Sequence, residues 1–409
     1  MITAITGARV FDGTDVLEPS TVVLEGAVVR DVGGARPADA TVVEARGATL
    51  LPGLIDAHVH TGVDGLRDAL QFGVTTELEM QGYWTADQRA QIAARDDVAD
   101  VRSAGWGLTT PGGHPSELFP GDDDGPPPGL APDDGHAHVR PPTVSSPAEA
   151  AELVASLVAG GSDYIKIMIE EGSVLGAPGL PMLSSDTITT AVREARRHGK
   201  LAIAHTLTLA ATAQAVAAGM DGLAHLFLDQ PHTAELIDAV AASGAFVTPC
   251  LVLNNSILGG SGAAFAQDDR VGRRLSPAWL DTLRSSFNTY PQGSLEDCLA
   301  TVAALHRAGV DVLTGTDVSV PVPFLGGLAH GASVHHELQL LVRVGLTPVE
   351  ALRAATSTPA RRFGLTDRGR ITPGARADLL LVDGDPTTRI SDSLSVRAVW
   401  RRGTRLALV

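Results

Sequence analysis

Between about residues 56 and 316, short apolar runs alternate with Ala-rich stretches of helical period, the pattern of repeated βα units. Eight such runs can be placed, ending near His60, Leu78, Leu108, Ile169, His205, His225, Pro249 and Asp317. Eight is the number that closes a (β/α)8 barrel, so an α/β chain built on a TIM barrel is expected. Helices are predicted over 148–159, 186–198 and 209–218, with Gly160-Gly161 and Gly219 as terminators. In such barrels chemistry gathers at the C-terminal ends of the strands.

The chain ends differ from the middle. Residues 1 to about 50 are rich in Val and Thr with glycine turns and lack a helical period, as in Thr21-Val22-Val23-Leu24-Glu25-Gly26-Ala27-Val28-Val29. The segments Ala377-Asp378-Leu379-Leu380-Leu381-Val382 and Val396-Arg397-Ala398-Val399-Trp400 read the same way. Neither end alone supplies many strands, so the two are expected to join into one small composite β-sandwich domain. The division is then 1–52 with 369–409 for that domain and 53–368 for the barrel. Two insertions stand out. Residues 110–147 are crowded with Pro, Gly and Asp, including Asp122-Asp123-Asp124-Gly125-Pro126-Pro127-Pro128, and are expected to form an active-site cover or a mobile loop that tunes substrate preference. Residues 254–292 follow the seventh run and are expected to shape the pocket mouth.

Bulk properties narrow the partners. With 44% hydrophobic and 19% charged residues, the 409-residue chain has the composition of a folded globular protein. A formal net charge of −16 opposes binding to nucleic acid or an anionic membrane, leaving a small-molecule substrate as the expected partner. Assembly as a homo-oligomer is compatible with this reading. Two cysteines, Cys250 and Cys298, exclude a disulfide framework and a cysteine-based zinc site, and the N-terminus has no signal-peptide pattern. No apolar run spans a bilayer, so a cytoplasmic location is expected.

The first apolar run, Leu50-Leu51-Pro52-Gly53-Leu54-Ile55-Asp56-Ala57-His58-Val59-His60, ends in two histidines one residue apart. Alternate strand residues point to one side, so His58 and His60 can present two imidazoles to one metal ion, zinc being the natural occupant. Lys166, in Asp163-Tyr164-Ile165-Lys166-Ile167-Met168-Ile169, alternates with isoleucines and is directed into the barrel, where a lone ammonium is costly. It needs either a buried carboxylate partner or conversion to a carbamate, which would behave as a carboxylate-like bridge between two metals. His205 and His225 each close a short apolar run; alone, either could be a core histidine bonded to the backbone. Asp317 closes Val310-Asp311-Val312-Leu313-Thr314-Gly315-Thr316-Asp317 and reads as a helix N-cap or as a ligand and proton shuttle.

Taken in order, Pro52-Gly53-Leu54-Ile55-Asp56-Ala57-His58-Val59-His60, Tyr164-Ile165-Lys166-Ile167, Ala204-His205, Ala224-His225 and Thr314-Gly315-Thr316-Asp317 resemble the amidohydrolase superfamily. Within it, the chain is similar to the imidazolonepropionase-like and metal-dependent prolidase-like group. Ala354-Ala355-Thr356-Ser357-Thr358-Pro359-Ala360 and Gly369-Arg370-Ile371-Thr372-Pro373-Gly374-Ala375-Arg376-Ala377-Asp378-Leu379 extend the likeness over nearly the whole chain. The resemblance implies two divalent ions, Zn2+ by expectation, with His58, His60 and Asp317 holding one, His205 and His225 the other, and N6-carboxylated Lys166 bridging them. It implies hydrolysis of an amide-type C–N bond in a cyclic amide, lactam or N-acyl small molecule by a hydroxide shared between the metals, Asp317 being the catalytic acid and base. A deaminase or dehydrative cyclase would use the same site. A catalytically silent scaffold is the reading from another class, and six filled ligand positions oppose it. Dipeptide-cleaving relatives commonly carry a His-Gly-Thr-Tyr-like run where this chain has His225-Leu226-Phe227-Leu228-Asp229, which points away from dipeptides and toward an apolar wall at Phe227. His114 and His330, in glycine-flanked loops, are candidate substrate contacts; His136 and His138 read as solvated.

Overall fold

A computed structural model describes residues 1–82, 84–118 and 141–408. The tip of the Pro-Gly-Asp-rich insertion, with His136 and His138, lies outside the described residues. The N-terminal strands are β1 (Ile2–Phe11), β2 (Val16–Glu25), β3 (Val28–Val32), β4 (Thr41–Glu44) and β5 (Ala48–Pro52). Next come β6 (Leu54–Val59), β7 (Val74–Glu79), β8 (Asp100–Ser103), β9 (Ile165–Met168), β10 (Ala202–His205), β11 (Gly222–Ala224) and β12 (Phe246–Thr248). The chain closes with β13 (Leu379–Asp383), β14 (Val396–Arg401) and β15 (Thr404–Arg405).

The middle strands form two parallel sheets, β6-β7-β8 and β12-β11-β10-β9. Parallel strands need crossover connections, and the Ala-rich segments supply them as the helices Pro147–Ala159, Ser185–Arg197 and Leu209–Ala218. Each begins at a Ser or Thr whose side chain accepts from the backbone N–H three residues on, and the last ends at Gly219 in the left-handed conformation. These helices agree with the sequence expectation to within one residue at each end.

The third and eighth runs depart from expectation. The third strand stops at Ser103, because Gly105 takes φ +67° and turns the chain; Leu108 rejoins the pattern through a single parallel bridge to Ile167. The eighth run has no assigned strand, yet it lies between β12 and β6. Leu313 N donates to Val247 O (2.8 Å) on one side, and Ala57 N donates to Thr314 O (2.9 Å) on the other. Single bridges, Val247 to Val312 and Val59 to Val318, mark the same seams. Asp56 reinforces the second seam: its buried carboxylate accepts from Thr316 Oγ1 (2.6 Å), Thr316 N (3.1 Å) and His58 N (3.2 Å). The 254–292 stretch carries the short helices Ala263–Ala266, Asp269–Gly272 and Pro277–Arg284.

Both chain ends enter one eight-stranded sheet, ordered β15-β14-β13-β5-β1-β2-β3, with β4 also on β1. Strand β1 is ten residues long and is shared lengthwise, pairing with β4 at Thr3–Thr6 and with β5 at Arg9–Val10. Its alternating inward residues, with Val22, Leu24, Leu50, Leu379, Leu381 and Trp400, make an apolar core separate from the large one around the parallel sheets.

A buried charge cluster ties this sheet to β8. Asp100 contacts Arg368, lies 2.9 Å from Arg376 Nη1 and 3.8 Å from Arg401 Nη2, and Arg401 in turn lies 3.2 Å from Asp378. Burial opposes the Asp100 charge, but Arg368, Arg376 and Arg401 together hold its pKa well below the usual carboxylate range. A carboxylate with a depressed folded-state pKa contributes stability that is fully present above its unfolded pKa, about 4, and is lost as pH falls toward the folded value. Asp100→Ala is therefore expected to destabilise the fold by about 3–5 kcal/mol, since three largely buried guanidinium groups would lose the carboxylate they share and keep only Asp367 and Asp378 among the described carboxylates. Urea midpoints at pH 7 and pH 4 check this: the gap between parent and variant should narrow at the lower pH. A gap that is the same at both would assign the loss to packing.

Candidate metal centre

The ends of the parallel strands place the sequence candidates together. His58 lies in β6 with His60 just beyond it, their ring centroids 5.7 Å apart. His225 follows β11, with its ring 4.5 Å from that of His58 and 4.8 Å from that of His205, the last residue of β10. Asp317 ends the eighth run, and a single oxygen, Oδ1, lies 2.9 Å from His58 Nε2, 3.0 Å from His60 Nε2 and 3.9 Å from His225 Nε2. Backbone strain accompanies this convergence. His225 (φ +26°) and Asp317 (φ +60°) occupy the positive-φ region that side chains avoid, a conformation that persists only where surrounding contacts over-determine it.

Lys166 sits in the middle of β9, 1% exposed, and its Nζ has no hydrogen-bond partner among the described residues. Burial lowers its pKa to about 8, with Asp317, Cys250 and Glu79 partly restoring the charge. His58 is pulled down to about 3 by burial and by Lys166, and burial drives His205 and His225 well below the ordinary imidazole value. Neutral imidazoles are the form that ligates metal. His60 is raised, because the Asp317 hydrogen bond and charge outweigh its burial. Burial opposes the charge on Asp317 too, but His225 and His58 hold that carboxyl well below its usual range.

The donor chemistry fits divalent metal. His58, His60 and Asp317 offer ligand atoms all within 4.8 Å of one another, and the buried Nδ1 atoms of His58 and His225 lack hydrogen-bond partners among the described residues. Unpartnered buried polar atoms are costly, and a shared cation is what this set has in common as a remedy.

The other candidates fall into three situations. His114 stacks near His205, centroids 4.4 Å apart, with Nδ1 2.6 Å from Glu117. Phe227 is 3% exposed within the large apolar core. His330 differs from expectation. It is buried, its Nδ1 is 2.9 Å from Glu77 and its Nε2 2.9 Å from the Ser319 carbonyl, so neither ring nitrogen is left to bond a substrate. Both partners are acceptors, and Glu77 with the Ser319 carbonyl raises the His330 pKa against the effect of burial.

Two carboxylates at strand ends were missed by the sequence reading. Glu79 ends β7, 4.0 Å from His60 Nδ1; it accepts from Ser103 Oγ (2.5 Å) and Gln81 N (2.6 Å), and burial pushes it up to about 7. Glu170 lies 3.4 Å from His205 Nε2 and is raised by burial. Their position at the ends of the second and fourth apolar runs was the available signal. Such outer carboxylates orient ligating imidazoles and fix their tautomers.

Gly315 makes the seam between the eighth run and β6 tight enough for this geometry. A methyl group there would meet Thr248 Cγ2 and come within 2.9 Å of His58 Cβ and 3.1 Å of His58 N. Gly315→Ala is expected to cost about 1–3 kcal/mol in overpacking and to displace His58. Thermal melting together with metal analysis checks it: parent-like metal retention would show that the seam yields without moving the ligand.

The sequence profile of the Amidohydrolase family matches residues 49–406, which spans every element of this site. The chain belongs to the amidohydrolase family. Its members hydrolyse C–N bonds, and this protein is an enzyme of that family. Ochratoxinase from Aspergillus niger is 25% identical over 394 residues, covering 87% of this chain and 75% of that protein. Imidazolonepropionase from Deinococcus deserti is 40% identical over 106 residues, 25% of each chain. A solved amidohydrolase structure superposes with a TM-score of 0.74 at 25% identity, covering both chains completely. Among the described residues, no helix is long and apolar enough to cross a membrane.

Proposed function

We propose that this amidohydrolase cleaves an amide-type C–N bond of a cyclic amide, lactam or N-acyl small molecule at a binuclear zinc centre. The observation that carries the proposal is Lys166: a buried amine without a hydrogen-bond partner among the described residues, set among neutral histidines and the Asp317 carboxylate. Burial that favours the neutral amine also favours its addition to carbon dioxide, in which the new N–C bond forms and one proton leaves, giving an anion where the ammonium was unpaired. In this reading His58, His60 and Asp317 would hold one ion, His205 and His225 the other, and carboxylated Lys166 would be a ligand to both. When bound, divalent ions polarise a carbonyl and bring a water pKa down toward 7. Asp317 would serve as base toward the attacking water and as acid toward the departing nitrogen: the water oxygen bonds to the carbonyl carbon, its proton passes by way of Asp317 to the nitrogen, and the C–N bond breaks as N–H forms. Glu79 and Glu170 orient His60 and His205.

We read the two parallel sheets and the eighth run as one closed (β/α)8 barrel over 53–368, supported by the bridges at Val59, Leu108 and Val247. The sheet that draws on both chain ends is read as the composite sandwich domain of 1–52 and 369–409. Two buried free cysteines suit a reducing cytoplasm, where we place the enzyme. The test is mass spectrometry of metal-loaded protein with a library of amides, lactams and dipeptides. Addition of one water across an amide or lactam is expected. Release of ammonia would make it a deaminase, and absence of turnover in every class with two ions bound would overturn the proposal.

A further inference from the structure

Past β12 the chain runs through Pro249 to Cys250, which adopts φ +49° and ψ +52°. A side chain in this left-handed conformation persists only where its surroundings hold it, and here Glu337 does so. That carboxylate, fully buried, accepts from Leu251 N and Val252 N at 2.9 Å each and fixes the turn that begins at Cys250. The outcome is a sulfur directed at the histidines. Ligand atoms of His58, His225 and Cys250 all lie within 4.8 Å of one another, and the three residues are 0%, 2% and 0% exposed. Independently of the cysteine, His58 Nδ1 and His225 Nδ1 are buried without hydrogen-bond partners among the described residues. A tetrahedral ion with Zn–S of about 2.3 Å and Zn–N of about 2.0–2.1 Å holds neighbouring donors roughly 3.5 Å apart, so the ligand atoms of Cys250 and His225, which lie within 4.8 Å of each other, would close up on binding.

We infer that Cys250 is a sulfur ligand of the metal centre, joining the ion assigned above to His205 and His225. This rests on the metal centre proposed above and adds a donor outside the six positions assigned there. On binding, the S–H proton passes to solvent as the S–metal bond forms, and neither partner changes oxidation state. A thiolate turns a nitrogen and oxygen site into a softer one, which favours zinc and cobalt over magnesium, calcium and manganese.

X-ray absorption at the zinc edge of the metal-loaded full chain tests the inference. A sulfur neighbour at about 2.3 Å is expected in the parent and in Cys298→Ser, and its loss in Cys250→Ser. Because a buried substitution can disturb folding, the parent alone gives a second reading: with Co2+ in place of zinc, a near-ultraviolet thiolate-to-cobalt band is expected. Zinc surrounded by nitrogen and oxygen alone in the parent, or a sulfur shell that survives in Cys250→Ser, overturns the cysteine ligand and leaves the metal centre standing. A parent chain that takes up no metal overturns both.

Discussion

Replacing Lys166 with alanine is expected to take the metal content from two ions per chain to one or none and to abolish turnover. Two divalent cations about 3.5–4 Å apart repel strongly in a buried site, and the carbamate is the anion that would lie between them. Neither nearby carboxylate is free to replace it: Asp317 Oδ1 is already shared by His58 and His60, and Glu79 is occupied by Ser103 and Gln81. Acetate or propionate should restore part of both metal and activity by filling the space left by the side chain. Stability supplies a separate readout. The metal-free variant no longer buries an unpaired amine, so its melting midpoint should equal or exceed that of the metal-free parent, while the rise on adding metal shrinks. A variant that retains two tightly bound ions without added acid would show that Lys166 is not the bridge.

Asp317→Asn separates ligation from proton transfer. The amide keeps the shape of the carboxyl but cannot take up a proton, and positioned acid–base groups contribute about 10²–10⁴ in rate. Turnover is expected to fall by roughly two orders of magnitude or more, with metal content close to that of the parent. Measuring both on one preparation decides the matter. Parent-like turnover removes the shuttle role, and metal lost in proportion to activity reduces Asp317 to a ligand.

Residues that announced themselves in the sequence did so because periodicity and chemistry coincided. A histidine pair at spacing two, a lysine alternating with isoleucines and single histidines closing apolar runs are all local patterns, and the strand geometry that aims them is local as well. Helices were legible for the same reason, since the Ala-rich period and a terminal glycine each act over a short stretch of chain. The third strand was overextended because Leu108 is apolar and in step, whereas the turn at Gly105 depends on the conformation of one residue. His330 was misjudged because its glycine-flanked setting says nothing of Glu77, 253 residues away in the chain, or of Ser319. Glu79, Glu170 and Cys250 stood at strand ends in plain view, and what they lacked in the sequence was a neighbour.

The sequence by itself determined where the Ala-rich helices of the middle region lie, that the apolar runs between them are parallel to one another, and that histidines and an aspartate close those runs while a lysine stands within one. Those properties follow from side-chain period, turn chemistry and connection length, each short in range. Tertiary structure alone decided that one oxygen of Asp317 meets two imidazoles, that Asp100 joins three arginines from the far end of the chain, and that the Cys250 sulfur points at His58 and His225. Contacts of that kind depend on how distant segments pack, and burial converts the distance between two groups into a charge state that no local pattern encodes.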